Sequence, residues 1–182
     1  MTPFPVRRIL QIADIPPDGE RIVIEAGEGE RRALAEALRV PAVGAFTADL
    51  LAMPWGRRGA HVTGTVRGTV EQACVVTLEP VEQTIEEAID VRFEPDAPAA
   101  ARPGDLDVEI DPFGEDPPER AENGRVDLGA LAAEHFALGI DPYPRRPGVA
   151  FDPAESGLPD EGPAEAGGQS PFEVLRRLKG GG

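Results

Sequence analysis

Two stretches of period-two alternation, separated by one bend, constrain this chain more than any other feature. In residues 61–76, Val62, Gly64, Val66, Gly68, Val70, Cys74 and Val76 share one parity, while His61, Thr63, Thr65, Arg67 and Glu71 take the other. Such alternation marks a strand with one buried and one wetted face. Past the bend at Leu78-Glu79-Pro80, residues 81–93 alternate again, with Ile85, Ile89, Val91 and Phe93 on one side and Glu82, Glu86 and Asp90 opposite. The two runs are expected to pair as a long antiparallel hairpin.

The rest of the chain supplies what such a hairpin packs against. Residues 21–26 form a short β-branched run closed by Gly27 and Gly29, a strand and a turn. Residues 30–39 are almost all Ala, Leu, Glu and Arg, with Leu34 and Leu38 on one face and Pro41 as a stop, so a helix is expected there. Residues 43–53 return to period two. In the acidic stretch 94–122, mostly loop, Leu106, Val108 and Ile110 alternate with acids and predict a short strand; Asn123-Gly124 then predicts a turn. Asp127 is placed to cap a helix over 128–138, whose apolar stripe is Leu128, Leu131, Ala132, His135 and Phe136. Pro142, Pro144 and Pro147 forbid its continuation.

The fold expected is α+β: a twisted antiparallel sheet or partly open barrel of roughly five to seven strands, with two packed helices and a C-terminal helical tail. A single domain should occupy residues 1–150. Residues 151–169, rich in Pro, Gly, Ala and acid, read as a disordered acidic linker. Residues 170–182 hold a short helix and tail, with Ser170 and Glu173 at capping-box spacing and Pro171 in the first helical turn. Phe172, Leu175 and Leu178 line one side of that helix, which is too short to be stable alone in water and so should dock on something.

Charge narrows the function classes. There are 33 acidic against 18 basic side chains, a formal net charge of −15, which repels nucleic acid at long range and attracts basic partners. Cys74 is the single cysteine, which excludes an internal disulfide and a cysteine-rich zinc site and fits a reducing compartment. The start of the chain has no run that reads as a signal peptide, and nothing approaches the apolar length of a membrane span. The expectation is a cytoplasmic protein. His61 and His135 have no ligand partners at suitable spacing, and the glycines at 27 and 29 lack the lysine of a phosphate loop. No nucleophile, base and oxyanion donor converge, so no enzyme, no metal and no cofactor are expected. Two basic clusters stand out as partner-binding candidates: Arg145 and Arg146 beside Tyr143, and Arg176, Arg177 and Lys179 beside Phe172 and Leu175.

Three stretches, in order, also carry a family resemblance: Val75-Val76-Thr77-Leu78-Glu79; Val126-Asp127-Leu128-Gly129-Ala130-Leu131 and onward to the exit Asp141-Pro142-Tyr143-Pro144; and the terminal Ser170-Pro171-Phe172-Glu173-Val174-Leu175-Arg176-Arg177-Leu178-Lys179. In these the chain resembles the YceD family, the large ribosomal RNA subunit accumulation proteins. The resemblance implies a role in accumulation or processing of large-subunit ribosomal RNA and carries over no catalytic residue. Many members have Cys-x-x-Cys where this chain has Cys74-Val75-Val76-Thr77, so a role needing both thiols is not expected here. The combined expectation is a non-enzymatic accessory factor of ribosome biogenesis that binds a basic ribosomal protein or an assembly intermediate. The alternative is a direct RNA-binding factor acting through the two basic clusters.

Overall fold

A computed structural model describes residues 4–95 and 117–149. The chain divides between Pro147 and Gly148. Described elements run β1 (Ile9–Gln11), β2 (Glu20–Glu25), α1 (Glu28–Leu38), β3 (Ala42–Trp55), β4 (Gly59–Ala73), β5 (Pro80–Glu94), β6 (Glu119–Arg120), β7 (Arg125–Asp127) and α2 (Leu128–Leu138). The α+β class is as expected. The strand expected around Leu106, Val108 and Ile110, the linker 151–169 and the tail helix lie outside the described residues.

The hairpin is the centre of a five-stranded sheet with order β2-β3-β4-β5-β6. Its register runs without a shift from Ala60↔Phe93 to Ala73↔Pro80. Alternation does the sorting: Ala60, Val62, Val66 and Val70 of β4, and Ile85, Ile89 and Phe93 of β5, are buried on one face. Glu71, Glu82, Glu86 and Asp90 are exposed on the other. From β3 the buried face receives Val43, Phe46, Ala48, Leu50 and Ala52.

Of the two forms expected, the protein takes the sheet, which stays open with β2 and β6 as its two ends. Two expectations are corrected. The sheet is mixed, because β6 pairs with β5 in parallel through Phe93↔Glu119 and Glu94↔Arg120. Val75 and Val76 also leave the strand they were assigned to, since β4 ends at Ala73. A further element had no signal in the sequence pattern: β1 pairs antiparallel with β7, Leu10 opposite Val126.

Both helices pack on the buried face, and close approaches explain how. Phe136 of α2 meets Phe46 of β3 edge to face, with ring centroids 5.2 Å apart. Gly68 leaves room beneath them, for a Cβ there would lie 2.8 Å from the Phe136 ring and 2.1 Å from the Ala45 carbonyl oxygen. On its other side α2 is covered by the N-terminal segment, and a Cβ on Gly129 would sit 2.5 Å from the Val6 carbonyl oxygen. Two covers bury Gly129 and Ala133 as well as the expected stripe. His135, by contrast, is only half-buried, its Nδ1 3.0 Å from the Leu131 carbonyl.

Asp127 fastens this arrangement. Its Oδ1 accepts the Ala130 N–H at 3.3 Å, the cap anticipated from sequence, and the Arg8 N–H at 3.0 Å. Arg7 Nε donates to the same carboxylate at 3.2 Å. Arg8 in turn reaches Glu30 in the first turn of α1, at 2.9 Å, and with the Gly27 N–H holds that carboxyl below its ordinary range. One short N-terminal segment therefore ties both helix starts together.

Two stability outcomes follow. Phe136→Ala removes the ring above Gly68 and should destabilise by about 3–5 kcal/mol in urea unfolding, the usual cost of a large buried aromatic. Asp127→Ala should cost about 1–2 kcal/mol through the lost cap, and Asp127→Asn, which keeps the acceptor oxygen, should recover most of it.

Candidate docking site at the hairpin tip

The loop joining β4 to β5 is built by its own backbone. The Cys74 N–H donates to the Glu79 carbonyl at 2.8 Å, and the Leu78 N–H to the Cys74 carbonyl at 2.9 Å. Closing so tight a loop places Leu78 in the left-handed region, φ 61°, uncommon for a non-glycine residue. That geometry turns Leu78 outward and stops the strand that Val75 and Val76 would otherwise extend.

The Pro-rich exit from α2 is laced onto this loop. Gln83 Nε2 donates to the Gly139 carbonyl at 2.7 Å, and Gln83 Oε1 accepts the Asp141 N–H at 2.9 Å. Gln72 Nε2 donates to the Asp141 carbonyl at 2.8 Å, and the Val75 N–H to the Pro144 carbonyl at 2.9 Å. Arg146 forms a salt bridge with Glu79. Two segments about seventy residues apart thus form one surface.

Cys74 sits buried at the junction. The Thr77 hydroxyl and the N–H groups of Arg146, Thr77 and Val76 donate toward its sulfur, and together they outweigh burial and lower the thiol pKa to about 6. Thr77, which stands where a second thiol would be, acts as a donor to the first. Among the described residues no group of three or more His, Cys, Asp or Glu is placed to hold a metal ion. His61 instead lies on the wetted face with its Nε2 2.6 Å from Asp90.

What this surface presents is largely apolar. Val75 is 47% exposed, Leu78 79%, Leu138 81% and Tyr143 71%, so four of the seven exposed large hydrophobics in the described chain belong to the loop and the exit. Single exposed apolar residues need no explanation, but a group on two cross-braced segments is what binding surfaces show. On the other face of the sheet, at the same end of the hairpin, Glu71 and Glu82 stand directly opposite each other, a like-charge pair that costs the sheet stability.

The candidate residues named from sequence divide accordingly. Tyr143 and Arg145 are exposed on this surface, while Arg146 is neutralised by Glu79. Phe172, Leu175, Arg176, Arg177 and Lys179 lie outside the described residues. Val75, Leu78 and Leu138 were missed: Val75 and Leu138 because an apolar residue at the end of a strand or helix reads as more core, and Leu78 because a residue in a bend does not read as a contact. Arg57 and Arg58 were missed as well. They occupy the β3–β4 turn at the far end of β4, lining a cleft of about 730 Å³ with Gly56, Gly59, Glu94 and Pro95.

The thiol gives this junction a pH dependence. A cysteine pKa lowered on folding stabilises the folded state fully above the unfolded value and loses that contribution as pH falls through about 6. Thermal unfolding midpoints should therefore fall further between pH 9 and pH 5.5 in the wild type than in Cys74→Ser, whose hydroxyl does not titrate in that window.

No helix among the described residues is long and apolar enough to cross a membrane. No curated protein and no solved structure matches the chain. A family model does match, described as large ribosomal RNA subunit accumulation protein YceD, over residues 62–179. That span takes in the β4–β5 hairpin, its tip, α2 and the Pro-rich exit, so the segments that assemble this surface lie inside the match. The chain belongs to the YceD family of large ribosomal RNA subunit accumulation proteins.

Proposed function

We propose that the protein is a non-enzymatic cytoplasmic accessory factor in large-subunit ribosomal RNA accumulation, and that it binds a basic ribosomal protein or an assembly intermediate. One observation carries this reading: the loop 74–79 and the segment 138–146 are braced into a single surface that exposes Val75, Leu78, Leu138 and Tyr143, with the opposed carboxylates of Glu71 and Glu82 at the same end of the hairpin on the other face of the sheet. An apolar centre with an acidic margin suits a partner that is cationic and carries an apolar anchor. The net charge of −15 adds long-range attraction for such a partner and weakens with added salt. Family membership supplies the process in which to look for it.

Direct RNA binding through the basic clusters is the second reading. Arg145 is its best support in the described chain, since it is exposed and has no ion-pair partner there, whereas Arg146 is occupied by Glu79.

Tagged protein recovered from its own cells at modest salt should enrich large-subunit precursors or ribosomal proteins. The combined substitution Val75→Ser, Leu78→Ser and Tyr143→Ala should reduce that enrichment at least tenfold, with the unfolding midpoint little changed because these side chains are exposed. No enrichment from wild-type cells would remove the reading. Reversing Arg145, Arg176, Arg177 and Lys179 to Glu separates the alternatives: unchanged recovery of ribosomal RNA counts against direct contact, and its loss supports it.

A further inference from the structure

The outer edge of β5 is the longest open backbone in the described chain. β6 covers this edge only at Phe93 and Glu94. From Pro80 to Arg92 the strand pairs with β4 on one side and with nothing described on the other. The direction of its hydrogen-bonding groups follows from its two ends. The Glu94 carbonyl accepts the Ala121 N–H at 3.0 Å, on the β6 side, whereas the Glu79 carbonyl accepts from Cys74, on the β4 side. With no register shift between them, the N–H and C=O groups of Glu82, Thr84, Glu86, Ala88 and Asp90 point away from β4. All five residues are exposed. The Pro at position 80 fits the same phase, since it lacks the N–H that a bonded position would need.

We propose that this edge is a docking strand for an extended, cationic segment of a protein partner, which adds to the sheet by backbone pairing. Backbone groups supply the affinity in such an arrangement, and alternate side chains supply the selectivity. Here the outward-bonding residues include Glu82, Glu86 and Asp90, with Arg92 of the same parity near the β6 end, while Glu87, whose backbone bonds β4, lies on the other face. Arg67 and His61 meet Glu86 and Asp90 from the inner side, whereas Glu82 stands opposite another acid, Glu71. A second copy of this strand would set carboxylate against carboxylate and is selected against, in the way charged edges guard against self-pairing. A lysine- or arginine-bearing segment meets the opposite condition. The inference rests on the function proposed above for the partner's class, and it adds the place and mode of contact.

Amide hydrogen exchange on the full chain tests it. In the free protein the amides of Thr84, Glu86, Ala88 and Asp90 should exchange rapidly, and those of Ile85, Glu87 and Ile89 slowly. A synthetic peptide of about ten residues alternating lysine with valine should slow the even-numbered set at least tenfold, and the same peptide with glutamate for lysine should not. Ala88→Pro removes an outward N–H, which edge strands tolerate, and should abolish the protection. Glu82→Lys, an exposed substitution with no bearing on the core, should weaken it at least fivefold. Even-numbered amides already slow in the free protein, or peptide binding that leaves them fast, would overturn the proposal. Equal recovery of ribosomal partners by wild type and Ala88→Pro would also sink it while leaving the proposed function intact. Protection by the lysine peptide with no ribosomal recovery would do the reverse.

Discussion

The unbroken register of β4 on β5 is the constraint from which the rest of the structure follows. Because side chains alternate at a period of two, displacing one strand by a single residue would turn the valines of β4 to solvent, or Glu82, Glu86 and Asp90 of β5 toward the core. The buried parity then dictates where α2 can lie. Phe136 can approach Phe46 only where position 68 has no side chain, and that glycine sits opposite Ile85 in the same register. The tip inherits its position from the same ladder, since Gln72 and Gln83 are the last residues from each strand that reach the exit of α2. Fold and candidate site are thus set by one pairing.

Elements with enough residues to show a period were legible in the sequence. The hairpin, the buried parity of β3 and the stripe of α2 all span more than ten residues, and Asp127 announced its helix by residue type and position. Elements of two or three residues carry no period at all. β1, β6 and β7 are of that kind, and their pairing depends on contacts far apart in sequence, Leu10 with Val126 being the clearest. The covering of α2 by the N-terminal segment has the same cause, for nothing local in Val6 says which helix will lie beneath it.

The site was legible in part for a different reason. Tyr143, Arg145 and Arg146 drew notice because cations are rare in this chain, but rarity does not say whether a cation is committed. Arg146 is, and so are Arg7, Arg8, Arg21, Arg32 and Arg67, each within a salt bridge to a carboxylate of another turn or strand. Val75 was hidden by its own chemistry: valine after valine reads as strand, and although a bend was expected at Leu78-Glu79-Pro80, only the backbone bonds of the loop show that the chain has already turned at Cys74.

That commitment of arginines bears on how an acidic protein of this kind can be selective. Exposed ion pairs contribute only about 0–1 kcal/mol each to stability, so the pairs on the wetted face do little for the fold as such. Their larger effect is on the field. Arg21 answers Asp49 and Arg67 answers Glu86, which quiets the middle of the sheet, while Glu71 and Glu82 at the tip end have no such answer among the described residues. The net charge is spread over the whole chain, yet the charge a partner meets locally is shaped by which carboxylates are already paired. The Glu71–Glu82 pair, exposed apolar side chains, Arg145 and a strand edge left open among the described residues all lie toward the same end of the hairpin. The partner proposed above would find there both an apolar foothold and backbone groups to bond.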